Sequence, residues 1–150
     1  MKGFALKNLL DALKTELSDN INYLADIAIV PDEDMLPVGA RFPFIGLKDG
    51  SIERVEGHSA TLNERLSVSI VCYVQILKPE ASIMGDGNNK GILDMMSDVH
   101  GVLNENFLGF ADIDRAFCST ELASETMLTE SMFIQKKKCV YLYDRSRDAP

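Results

Sequence analysis

Leu6, Leu9, Leu10, Leu13 and Leu17 recur at the spacing of one helical face, while Lys7, Asp11, Lys14 and Asp19 fall on the others. The pattern predicts an amphipathic helix over residues 3–19. Ser18-Asp19-Asn20 then brings in side chains that compete for backbone hydrogen bonds. Beyond it, Asn22–Val30 alternates Tyr23, Ala25, Ile27 and Ile29 with Leu24, Asp26 and Ala28, which reads as a short strand. Two prolines, a glycine and the consecutive acids Asp32-Glu33-Asp34 make residues 31–39 an exposed loop. Arg41–Leu47 is aromatic and β-branched and runs into Lys48-Asp49-Gly50-Ser51. Asp-Gly signals a hairpin turn there, with Ile52–Gly57 as the returning strand.

The clearest strand is Glu64–Leu77. It carries Leu66, Val68, Ile70, Cys72, Val74 and Ile76 on one side and Ser67, Ser69, Val71, Tyr73 and Gln75 on the other. One wholly apolar face predicts a central strand packed under helices. The pattern breaks from Pro79 to Asn89, where Asp86 or Asn88 is placed to cap the next helix. Ile92, Met96, Val99, Leu103 and Phe107 then repeat at helical intervals within residues 88–107. Ile113–Cys118 reads as a short strand, Ser124–Glu130 as a polar loop, Met132–Tyr143 as a closing strand apolar on both faces, and Asp144–Pro150 as a frayed polar tail. The order predicts one α+β domain over residues 1–150. Its form is a two-layer sandwich of about four to six mainly antiparallel strands with two main helices on one face.

Composition narrows the function classes. A chain of 150 residues, 46% hydrophobic and 25% charged, suits a single folded domain and excludes disorder. Its net charge of −8 disfavours a broad basic face for gripping nucleic acid. No apolar run approaches the ~20 residues that span a bilayer, and Lys7, Asn8, Asp11 and Lys14 interrupt any secretory signal near the start. Cys72, Cys118 and Cys139 lie far apart with no C-x-x-C pair, so they read neither as a zinc site nor as a disulfide framework. Their odd number suits a reducing compartment.

Few residues in the sequence are spaced for catalysis or ligand binding. His58 and His100 show no sign of meeting, His100 reads as a helix-surface histidine, and Asp98 cannot face it at i, i+2 on a helix. No G-x-S-x-G or comparable nucleophile signature is present. Gly85-Asp86-Gly87-Asn88-Asn89-Lys90-Gly91 fails the P-loop and dinucleotide spacings, and as a calcium loop it places Ser97 where a bidentate Glu is needed. Asp32-Glu33-Asp34 reads as a solvated loop rather than a metal site.

Lys136-Lys137-Lys138 is the unusual feature, because it lies inside an expected strand. Alternation puts Lys136 and Lys138 on one face and Lys137 on the other, which suits an edge strand protected from stray pairing. With Arg145, these lysines form a basic end: residues 136–150 hold five bases against two acids, while residues 76–135 hold three against ten. Such a chain can bind a copy of itself head to tail, with Asp32-Glu33-Asp34 or a hairpin tip at Asp49 as the opposing surface. Edge protection and self-association both remain open.

The whole layout resembles the tail terminator, or tail-completion, proteins of long-tailed bacteriophages. The features that carry it are the helix Phe4–Leu17, the hairpin Phe42–Gly57 with its Leu47-Lys48-Asp49-Gly50-Ser51 turn, the strand Arg65–Ile76, the helix Gly91–Phe107 and the closing Tyr141-Leu142-Tyr143-Asp144-Arg145. The resemblance implies a non-enzymatic virion protein without cofactor or metal. It would form a hexameric ring on the head-proximal end of the tail tube, stop tube polymerisation and join the tail to the head connector. Such a protein is assembled in the host cytoplasm, and the ring's acidity would repel the DNA passing through it. Two other classes stay open. One is a ligand-binding or regulatory module using Tyr73, Tyr141 and Tyr143 on an uncovered sheet face. The other is a small hydrolase or transferase built from His58, His100 and carboxylates.

Overall fold

The computed structural model describes residues 6–56 and 61–148. The expected helix start at residues 3–5, Gly57, His58 and the last two residues of the tail lie outside them. The leucine stripe forms α1 (Leu6–Asn20), which buries Leu9, Leu10, Leu13 and Leu17. The second stripe forms α3 (Ile92–Leu103), which buries Ile92, Met95, Met96, Val99 and Leu103. Both helices pack on one face of a six-stranded sheet of order β1-β2-β3-β6-β4, with β5 paired to β6 off that path. The strands are β1 (Asp26–Ile29), β2 (Phe44–Glu56), β3 (Thr61–Gln75), β4 (Ile113–Glu121), β5 (Glu125–Thr129) and β6 (Met132–Asp148).

The sheet is mixed, because β1 runs parallel to β2 while every other pairing is antiparallel. A parallel neighbour requires a crossover. Residues 30–43 supply it over the face opposite the helices. There Val30, Phe44, Val71, Tyr73 and Ile134 are buried, with Leu36, Ala40 and Phe42 packed against them. The main core lies on the helix side and includes Leu66, Val68, Ile70, Cys72 and Val74 of β3, together with Cys139, Tyr141 and Tyr143 of β6. Burying a side chain such as Leu or Ile there contributes about 1.5–3 kcal/mol.

Four expectations are corrected. Asp49-Gly50 is no hairpin tip: β2 runs straight through it and meets β3 from Phe44↔Tyr73 to Glu56↔Leu62, with a bulge between Asp49 and Ile52. The glycine serves close approach instead, since a Cβ at Gly50 would lie 2.4 Å from the Ser67 carbonyl oxygen. The polar 124–130 stretch contains β5, which hairpins onto β6 through Glu130 and Ser131 at φ 46° and 66°. The broken pattern after Pro79 holds a short helix, α2 (Pro79–Met84), and α3 is capped at Gly91 rather than at Asp86 or Asn88. Finally, β6 continues through Asp148, pairing residues 144–148 with Thr61–Arg65 where a frayed tail was expected.

Candidate functional site

The lysine triplet does not sit on an edge. β6 pairs with β3 along its length, Lys136 also pairs with Glu125 of β5, and the Lys138 carbonyl accepts from the Leu122 amide. Lys136 and Lys137 are 7% and 8% exposed. Alternation holds as expected and decides their partners. Lys136 Nζ lies 2.6 Å from Asp34 and 3.5 Å from Glu33, both on the crossover loop, and Lys138 Nζ lies 3.5 Å from Glu33. Lys137, on the helix side, donates to the Leu122 carbonyl at 2.8 Å and lies 3.4 Å from Glu121. Burial opposes the charge on Lys136, but the Asp34 hydrogen bond and the acids around it prevail and hold its pKa above the ordinary value. The acidic loop and the basic strand are thus complementary within one chain, and together they clamp the crossover over the second face. Asp32 stays exposed and accepts from the Asp34 amide at 2.8 Å in a local turn.

Arg145 belongs to a separate cluster at the other end of the sheet. It is 4% exposed, bonds Glu64 through Nε and Nη2 at 2.9 and 2.8 Å, and reaches Asp112 at 3.1 Å. Around it lies a hollow of about 430 Å³ lined by Glu53, Asn63, Arg65, Asp114, Arg115 and Asp144. Its volume suits a small molecule, but its walls are charged where ligand pockets are mainly apolar. Arg65 makes a bidentate pair with Asp144 at 2.7 and 2.9 Å, and the Arg65 and Arg115 guanidinium carbons lie 5.7 and 4.6 Å from the centre of the Phe117 ring. Arg115 is exposed and Arg65 half-buried. Asp49 is exposed and pairs with its neighbour Lys48 at 2.6 Å, so the candidate interface residues fall into three places rather than one.

A tyrosine-lined ligand face does not form. Tyr73 points to the crossover side, where its hydroxyl donates to the Glu33 carbonyl at 2.6 Å, whereas Tyr141 and Tyr143 point to the helices, and all three are buried. A second cleft, of about 190 Å³ between Phe42, Val74 and α2, is smaller than a typical ligand pocket.

His100 is the residue whose surroundings sequence spacing missed. Asp98 turns away to Tyr23 at 2.5 Å and Lys90 at 3.5 Å, as i, i+2 geometry requires. His100 instead faces Tyr141 Oη through Nδ1 at 2.6 Å and Glu121 through Nε2 at 2.5 Å, and Cys118 and Cys139 lie beside it. Burial raises both thiols above their ordinary pKa, opposite to the shift a nucleophilic cysteine needs. Only the β4–β6 register brings these residues together, and no local spacing announces it.

Among the described residues no helix is long and apolar enough to cross a membrane. No family model matches the chain, and no curated protein matches it. Among solved structures, a chain described as part of the virion of a native gene transfer agent particle superposes with a TM-score of 0.59 at 11% identity. The match covers 97% of this chain and 100% of that one, so the two share a fold from end to end.

Proposed function

We propose that this chain is a structural component of a phage-like virion and that it acts there as the tail terminator. In this reading it forms a ring, of six subunits by the resemblance, on the head-proximal end of the tail tube, where it ends polymerisation and receives the head connector. The observation that carries the reading is the fold shared over the full length of a gene transfer agent virion chain. Of the features behind the resemblance, the two long helices and the strands β3 and β6 stand in the fold, whereas the hairpin turn at Asp49-Gly50 does not. In this reading the chain is a structural part rather than an enzyme, in keeping with its neighbour in a virion. A net charge of −8 suits a ring through which DNA slides without being held.

The surface offered to a neighbour differs from the one charge counting suggested. Lys136 and Asp34 hold the crossover loop down within the subunit, Lys137 is tied to Leu122 and Glu121 on the helix side, and Arg145 is buried, so none of them is available as a free charge. The exposed Arg115 and the half-buried Arg65, both beside Phe117, form the better docking surface, since arginine beside an aromatic ring is typical of interface centres. Asp49, Asp32 and Lys138 then contribute only rim charge, worth about 0–1 kcal/mol per pair.

Deleting the gene in its producing strain tests the role. A terminator's loss yields headless tails of irregular, extended length, restored to uniform length by the gene in trans. Normal infectious or transducing particles without the protein would refute it.

A further inference from the structure

His100 on α3, Cys118 on β4 and Cys139 on β6 each offer a ligand atom, and these atoms lie within 4.8 Å of one another. Zinc bonds of about 2.3 Å to sulfur and 2.0–2.1 Å to nitrogen place tetrahedral ligands roughly 3.5–3.8 Å apart, so closing on a metal requires shifts of about 1 Å or less per side chain. We propose that these three residues form a binding site for a thiophilic divalent cation of the zinc type, with solvent as the fourth ligand.

The surroundings favour such an ion beyond the three donors. Glu121 accepts a hydrogen bond from His100 Nε2 at 2.5 Å, which fixes the tautomer and leaves Nδ1 its lone pair. A carboxylate behind the imidazole is the usual partner of a metal-bound histidine. Tyr141 Oη, 2.6 Å from Nδ1, is the group the ion would displace from that nitrogen. Cys139 is buried, whereas Cys118 and His100 are half-buried, so one side of the site is sealed and the other open to an arriving ion. Binding exchanges two thiol protons, released to solvent, for two metal–thiolate bonds. Because Cys118 opposes Tyr141 and Cys139 opposes Glu121, the cysteines lie diagonally across the β4–β6 ladder. The bound ion would fasten the last turn of α3 to two strands of the sheet. This site stands apart from the assembly role, and neither result decides the other.

Cobalt(II) titration of the reduced full-length chain, followed by zinc displacement, tests the site. The expected result is a thiolate-to-cobalt charge-transfer band with visible bands of a tetrahedral ion, saturating at one equivalent and abolished by zinc. Cys118→Ser, at a half-exposed position that tolerates the change, should lose the charge-transfer intensity and bind at least 100-fold more weakly. Glu121→Gln should keep the spectrum and weaken binding about 10–100-fold, because Glu121 positions His100 without touching the ion. Zinc should also raise the thermal midpoint of the wild type and leave that of Cys118→Ser unchanged. Absence of the band in reduced protein, or an equal band in Cys118→Ser, would overturn the proposal. So would formation of a Cys118–Cys139 disulfide in place of binding.

Discussion

Removing Arg145 while keeping its hydrocarbon stem, as in Arg145→Met, isolates the charge cluster at the sheet end. In the folded chain its guanidinium bonds Glu64, itself 5% exposed, at 2.8 and 2.9 Å, and Asp112 at 3.1 Å. Breaking one side of a buried ion pair costs about 3–5 kcal/mol, because the remaining charge stays desolvated. Glu64 still receives Arg54 Nε at 2.8 Å and Asp112 is half-exposed, so the lower end, about 3 kcal/mol, applies. With a urea slope of about 2 kcal/mol/M, the unfolding midpoint should fall by about 1.5 M. Glu64→Gln with Arg145→Met should cost clearly less than the sum of the single changes, since each removes the charge that the other would strand. A midpoint shift under about 0.3 M, or an additive cycle, would refute the assignment of this cluster as a coupled buried network.

Three other perturbations have defined outcomes. Ile70→Ala, in the middle of β3 and fully buried, should cost about 2–5 kcal/mol in chemical denaturation, whereas an unchanged midpoint would remove Ile70 from the core. Tyr143→Phe should be neutral or stabilising, because among the described residues the buried Tyr143 hydroxyl has no hydrogen-bond partner. A loss above about 1 kcal/mol would show that it has one. Burial pushes the Cys72 thiol and the Tyr73, Tyr141 and Tyr143 phenols above their ordinary pKa. The unfolded chain therefore ionises first, from about pH 8.5 for cysteine and about pH 10 for tyrosine. Stability, intact below that range, should fall as pH rises, by up to about 1.4 kcal/mol per pH unit for each group. Denaturation midpoints that stay flat from neutral pH to about pH 10.5 would contradict it.

The elements legible in the sequence are those whose burial is one-sided and regular. The leucines of α1, the apolar stripe of α3 and the alternation of β3 each state a period and a face, and the helix-covered α+β sheet follows from them. The departures share a cause, in that tertiary pairing overrides a local signal. Asp49-Gly50 has turn chemistry, yet the length of β3 keeps β2 extended and turns the glycine into a bulge. Glu125–Thr129 is polar because β5 is an edge strand with little to bury, so its composition mimics a loop. Lys136 and Lys138 look like edge protection because their counter-charges, Glu33 and Asp34, lie 102 or more positions earlier in the chain. No local pattern predicts that the crossover loop lands on them. For the same reason the His100, Cys118 and Cys139 cluster is invisible in the sequence: a helix and two strands contribute one donor each, and only their register makes them neighbours.

Electron microscopy of phage tail tubes polymerised from purified tube protein, with and without this chain, tests the terminator role most directly. Added protein should appear as a ring on one end of each tube and arrest elongation there. Substituting Arg65 and Arg115 with Glu should prevent the ring from forming while leaving a folded subunit. Tubes that keep growing with bare ends, beside a protein that stays monomeric, would contradict that role.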